Sequence, residues 1–256
     1  GSGGAIVAEG ELGNITGDFI GNYVRGSSYA YGGAIYAHPY SVLGDINGNF
    51  VGNYVTGDNA AGGAIYAHDN AESPTVVFGK ISGDFISNYA YGSSAKGGAI
   101  ANIVNILNDT AEPLTIENST FSDNFVMSNE DNAYGGAIYN DFHVSLYSED
   151  DDSDYSGVKS DAALTLINTS FLDNKAVSDG HRAFGGAIYS TGDVNIIANN
   201  GKNSLFSGNT ANGDSNDIFM KSSVFDIYEP YGDDVNSLLP SNLNLSATNN
   251  SIIQFD

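Results

Sequence analysis

The sequence predicts an all-β protein, a parallel β-solenoid of roughly seven to eight coils. Three observations carry that prediction. Gly-Gly-Ala-Ile occurs six times, beginning at Gly3, Gly32, Gly62, Gly97, Gly135 and Gly185. Phe-x-x-Asn alternates with it, at Phe19, Phe50, Phe85, Phe121, Phe171 and Phe206. The distance from each Phe to the next Gly-Gly is nearly fixed, at 13, 12, 12, 14 and 14 residues, whereas successive Phe copies lie 31 to 50 residues apart. One arc of the unit is therefore constant and the other absorbs insertions. Stacked coils behave this way, because strands must stay in register while loops can bulge outward.

The constant arc reads as short strands. Ile15-Thr16-Gly17-Asp18-Phe19-Ile20 and Ala34-Ile35-Tyr36-Ala37 are rich in strand formers, and Gly, Asn, Asp and Ser fill the joins. No apolar pattern holds helical spacing over a dozen positions, and the units carry Gly, Asn and Tyr where helical repeats carry Leu, Ala and Glu. Stacking at about 4.8 Å then aligns equivalent residues. Ile6, Ile35, Ile65, Ile100, Ile138 and Ile188 form one inner ladder, and the six Phe form another. Asn22, Asn53, Asn88, Asn124, Asn174 and Asn209 form a third, either as a stacked amide ladder or as left-handed turn residues. Gly-Gly marks a corner that needs a positive φ or a close backbone approach.

Residues 1–217 read as repetitive coils and 218–256 as divergent coils of the same solenoid, because Ser215-Asn216-Asp217-Ile218 stands where Gly-Gly-Ala-Ile is expected. Both ends look cut from a longer repetitive protein. The 256 residues include 32 Gly and no Cys, and 31 acids against 8 bases give a net charge of −23. That balance argues against nucleic acid and anionic membranes as partners, and it fits a soluble, monomeric, extracellular rod whose charge opposes strand-edge aggregation. The absence of Cys excludes a disulfide framework.

Several groups are candidates for chemistry. The run Glu149, Asp150, Asp151, Asp152 with Asp154 offers hard oxygen ligands for Ca²⁺, although it lacks the Gly of a twelve-residue Ca²⁺ loop. His38 and His68 occupy equivalent places and would lie one coil apart. Tyr36, Tyr66, Tyr139 and Tyr189 follow the inner Ile, so strand alternation points them outward as an aromatic binding face. The alternative is that they pack on neighbouring coils. Asp18, Asp84, Asp123 and Asp173 recur with the repeat, which argues against catalysis, since an active site is singular. No catalytic residue and no required cofactor is assigned.

Gly32-Gly33-Ala34-Ile35 with Phe50-Val51-Gly52-Asn53, and their counterparts over roughly residues 3 to 211, resemble the passenger region of the polymorphic outer-membrane protein family and related autotransporters. The resemblance implies a right-handed parallel β-helix, exported and displayed outside an outer membrane, acting in adhesion. The expected function is a non-catalytic adhesin or adhesin-presenting stalk. It would meet a host or neighbouring-cell surface protein or glycan through inserted loops such as 103–116 and 143–163, or through the Tyr face. The alternatives are a polysaccharide hydrolase or lyase on the same scaffold, and a structural spacer.

Overall fold

The computed structural model describes residues 1–68, 76–107, 113–147, 164–221, 223–228, 235–239 and 241–256, with the side chains of 105–107, 144–147, 223–228 and 235–239 excepted. The chain is a right-handed parallel β-helix of seven stacked coils. Each coil opens on the strand of the Gly-Gly-Ala-Ile motif, such as Ile35–Ala37. It then passes through a strand equivalent to Ile46–Asn47, the Phe strand equivalent to Phe50–Val51, and one equivalent to Tyr54–Thr56. In the first five coils a strand equivalent to Asn59–Ala61 leads back to the next Gly-Gly. Equivalent strands of successive coils pair in parallel, with like residues opposite one another: Ile35 against Ile65, Phe50 against Phe85, Tyr54 against Tyr89.

The predicted inner ladders are in place. Ile35, Ile65, Ile100, Ile138 and Ile188 are buried in one core with the Phe column, while Ile6 and Phe19 in the first coil are half-buried. Rings from Phe19 to Phe206 stack with centroids 4.5 to 4.9 Å apart. That separation is the spacing of hydrogen-bonded strands, so the rings meet face to face without distorting the ladder.

The Asn column is an amide ladder. Each side-chain nitrogen from Asn22 to Asn174 donates to the Oδ1 of the Asn one coil on, at 2.8 to 3.0 Å. The same Oδ1 accepts the backbone N–H of the previous Asn. From Asn53 onward, the amide also donates to the carbonyl of the Phe in the preceding coil, as Asn124 does to Phe85 at 2.8 Å. These buried amides are thus satisfied on both sides, as the low-dielectric interior requires. The left-handed turn residue is not the Asn but the one before it: Gly21, Gly52, Ser87, Asp123, Asp173 and Gly208 have φ between 53° and 66°.

The two glycines of the motif do different work. The first adopts positive φ, 60° at Gly97. The second packs against the next coil, so that a Cβ on Gly98 would meet the Gly136 carbonyl oxygen at 2.1 Å. Both reasons foreseen for the pair therefore hold, one at each position.

The seventh coil is assembled from the segment in which the repeat is blurred. Ile218–Met220 pairs with Ile188–Ser190, Leu243–Ala247 with Val194–Ala198, and Ile253–Phe255 with the Phe strand. Phe255 extends the ring stack at 4.6 Å from Phe206. Asp217 accepts the amide of Asn209 at 2.8 Å and ends the Asn ladder. Burial, followed by the influence of Asp256, raises the Asp217 carboxyl above its usual range, while the Asn209 bond opposes the rise.

Two strands outgrow the coil. Ile100–Leu107 and Ile138–Tyr147 pair along eight residues. The pairing of Ile138–Tyr147 is then divided between two coils: Ile188–Ser190 of the sixth covers Ile138–Asn140, and Ser223–Tyr228 of the seventh covers His143–Tyr147. Ser223–Tyr228 turns back as a hairpin with Val235–Leu239. Asp141 and Phe142 lie at the division.

Asn124→Ala removes four side-chain hydrogen bonds in mid-ladder and is expected to cost about 2 kcal/mol or more in chemical denaturation, since it leaves buried partners unmet. Asn22→Ala, which removes a single side-chain donor at the end of the ladder, is expected to cost less than half as much. Equal losses at the two positions would show that the ladder does not stabilise the stack.

Candidate functional site

The division of the extended strand creates a cleft of about 450 Å³. It is lined by Tyr139 and Asp141 of one Gly-Gly-Ala-Ile strand, by Thr191 just after the next, and by Lys96, Tyr134 and Lys221. Asp131, His143 and Ser94 complete the rim. The Tyr139 hydroxyl donates to Asp141 Oδ2 at 2.7 Å. The Thr191 hydroxyl donates to Asp141 Oδ1 at 3.0 Å and accepts the backbone N–H of Phe142 at 2.6 Å. Both carboxylate oxygens of Asp141 are therefore held by hydroxyl donors. Lys96 Nζ lies 5.0 Å from the centre of the Tyr139 ring, within cation–π range. Tyr134 Oη accepts a bond from Asn132 Nδ2 at 3.1 Å.

The cleft differs electrostatically from the rest of a strongly acidic chain. Among the described residues the one ion pair is Lys80–Glu117 at 3.1 Å, so neither Lys96 nor Lys221 has a carboxylate partner there. Two of the chain's eight bases thus face one depression. Burial, then the charge and hydrogen bond of Asp141, push the Tyr139 phenol far above its ordinary value, and burial with Asp141 raises Tyr189. Burial likewise raises Tyr66.

Of the two readings of the Tyr face, the structure fits packing on neighbouring coils rather than an exposed ladder. Tyr66, Tyr139 and Tyr189 are only 5, 5 and 6 % exposed, and Tyr36 is half-buried. They point away from the main core, as alternation requires, but the Gly-Gly corner folds the preceding strand over them. Tyr31 stacks on Tyr66 at 4.4 Å, and Tyr134 meets Tyr189 edge-on at 4.9 Å. Tyr66 and Tyr139 are also separated by Ala101, which interrupts the column. Only the stretch near Tyr139 and Tyr189 reaches the cleft. On another face Tyr23, Tyr54 and Tyr89 stack at 5.2 and 4.7 Å, with Arg25 against the first two rings and donating to Tyr54 Oη at 2.8 Å. Both faces of Tyr54 are occupied by its neighbours, and Tyr23 and Tyr89 each stack on it by one face.

The repeat-linked acids hold neighbouring coils. Asp18 Oδ1 accepts the Asn49 backbone N–H at 2.9 Å, and Asp84 Oδ1 accepts that of Thr120 at 3.0 Å. Asp123 and Asp173 occupy left-handed turns. His68 is half-buried and pairs in register with Ile103, and burial followed by the nearness of His38 lowers its pKa. Among the described residues no three His, Asp or Glu cluster as a metal site. The acidic run Glu149, Asp150, Asp151, Asp152 and Asp154 lies outside the described residues, as does most of the 143–163 insertion. The cleft itself escaped the sequence reading. Its one signal was the pair of scarce bases, Lys96 and Lys221, which lie 125 residues apart (221 − 96) and meet only through the stacking of coils.

The fold and its ladders define a β-helical repeat protein whose units stack like on like. Two stretches, residues 118–141 and 168–191, match the family model of the Chlamydia polymorphic membrane protein repeat. Each spans one constant arc, from just before Phe-x-x-Asn to just after Gly-Gly-Ala-Ile. These two repeats are similar to those of the polymorphic membrane protein family, and the other units carry the same paired motifs. No curated protein and no solved structure matches the chain.

In an alkaline titration followed by phenolate absorbance, Tyr66, Tyr139 and Tyr189 are expected to ionise only as the protein unfolds. Their folded pKa values are raised, so the unfolded chain releases these protons first. The stability they lend is intact below the ordinary pKa of 10.0 and declines as pH climbs above it. A titration in which every phenol ionises reversibly near pH 10 in folded protein would contradict the burial of this cluster.

Proposed function

We propose that the chain is a non-catalytic segment of an exported, surface-displayed passenger, acting as an adhesin or as the stalk that presents one. The observation that carries this reading is the family repeat built into an unbroken register of seven coils. Such a stack is a rigid rod, and rigidity holds insertions and clefts at fixed positions. The partner is a protein or glycan on a host or neighbouring cell. The acidic insertion, Glu149 to Asp154, is proposed as a Ca²⁺-dependent contact. The net charge of −23 supports display in solution and disfavours nucleic acid as ligand.

A second reading, glycoside hydrolysis, is favoured by one observation. Asp131 and Asp141 are carboxylates outside the repeat-linked set, and both line the cleft. Against it stands the commitment of Asp141 to two hydroxyl donors, which makes it a fixed acceptor rather than a proton donor.

The test is an array of glycans and extracellular-matrix and cell-surface proteins, probed with the purified chain in Ca²⁺ and in chelator. The adhesin reading expects specific, saturable capture, reduced by chelator if the acidic insertion takes part. Silence across the array would leave only the spacer, and time-dependent loss of an arrayed glycan would establish the hydrolase instead.

A further inference from the structure

We infer that the cleft at the divided strand binds a single carboxylate-bearing pyranose, a hexuronate-type sugar residue. This deepens the binding reading above and rests on it for the source of the ligand, but its chemistry is local to the cleft. Three features carry it.

The first is charge. Lys96 and Lys221 face one cleft without carboxylate partners among the described residues, in a chain where acids outnumber bases by 31 to 8. Arg25, Lys175, Arg182 and Lys202 also lack a carboxylate partner among the described residues, so it is the convergence of two ammonium groups on one depression that favours an anion from outside. The second is Asp141. A carboxylate offers about four lone-pair sites, and Tyr139 and Thr191 fill two of them, one on each oxygen. The carboxylate is thereby fixed in place, with acceptor capacity left for the hydroxyls of a ligand. The third is shape. A volume of about 450 Å³ falls within the roughly 300–1,000 Å³ span of small-ligand sites, and the Tyr134 ring gives it an apolar wall.

These features together select the ligand class. A sulfate has no hydroxyl donor, and a phosphate offers at most one or two beside a concentrated charge, so either would meet Asp131 and Asp141 with less recompense than a sugar's several hydroxyls. A neutral sugar would satisfy Asp141 but leave both ammonium groups unused. A sugar acid supplies a single negative charge for the lysines and hydroxyl donors for Asp141 in one ring. The stacked columns elsewhere on the rod offer less, because a ring stacked on its neighbour presents at most one face to a sugar.

The experiment is a titration of the protein with methyl β-glucuronide and with methyl β-glucoside, followed by chemical-shift perturbation and calorimetry. The glucuronide is expected to bind saturably, and the glucoside at least ~tenfold more weakly. Lys96→Gln and Lys221→Gln should each weaken the glucuronide by about fivefold or more, whereas Lys202→Gln, remote on the Asn118 side of the rod, should leave it unchanged. Lys221 is exposed, so its variant tests the site even if substitution at Lys96 disturbs the Tyr139 ring. Equal affinity for the two sugars, no saturable binding of the glucuronide, or indifference to both lysine changes would overturn the inference. Running Lys96→Gln/Lys221→Gln on the array separates the two readings. Array capture that survives the double change, with no saturable binding of the glucuronide, leaves the adhesin and removes the cleft. Glucuronide binding with a silent array leaves the cleft and removes the adhesin.

Discussion

The distance between hydrogen-bonded strands governs this molecule. Each coil lies one strand spacing from the next, and every side chain that faces its counterpart must be content at about 4.8 Å. Phenylalanine satisfies that demand by face-to-face stacking, and asparagine by an amide that donates and accepts along the column. Glycine satisfies it where no side chain can fit, since the carbonyl of the adjoining coil already occupies the place of a Cβ. The repeat is therefore a list of residues compatible with their own copies. Ala101 among the tyrosines shows that this column tolerates a change of residue that the Ile, Phe and Asn columns do not show.

The same constraint explains where distinctive chemistry can arise. A perfect ladder repeats each group at every coil, so it builds a scaffold and no singular site. Function needs a break in the symmetry. Here the break is the two overgrown strands and the division of their partner between Ile188–Ser190 and Ser223–Tyr228. At that division Asp141 faces a cleft, fixed by hydroxyls from its own strand and from the next coil. Elsewhere, Asp18 and Asp84 are absorbed into holding the backbone of the following coil.

Much of the fold was legible in the sequence, and for a definite reason. In a stacked coil, a residue's neighbour is its own equivalent one period away, so motif spacing is nearly a contact map. The Ile, Phe and Asn columns could thus be named from the chain, as could the two distinct demands on Gly-Gly. The seventh coil was harder to read, because Asp217 and Ile218 preserve the physics of the motif without its letters: an acceptor for the last ladder amide, and an apolar side chain for the core. The tyrosines stayed open to two readings because alternation tells which face of a strand a residue takes, but not whether another strand folds over that face.

The sequence by itself determined the architecture, the period, the inner columns and the acidic character, since each depends on local residue type and on repetition. Tertiary structure alone decided that Tyr66, Tyr139 and Tyr189 lie beneath a neighbouring strand, and that Lys96, Asp141, Thr191 and Lys221 share a cleft. Those residues belong to four different coils and follow no common spacing. Their meeting depends on the angle of the Gly-Gly corner and on where a strand stops pairing, and neither is written in the order of residues along the chain.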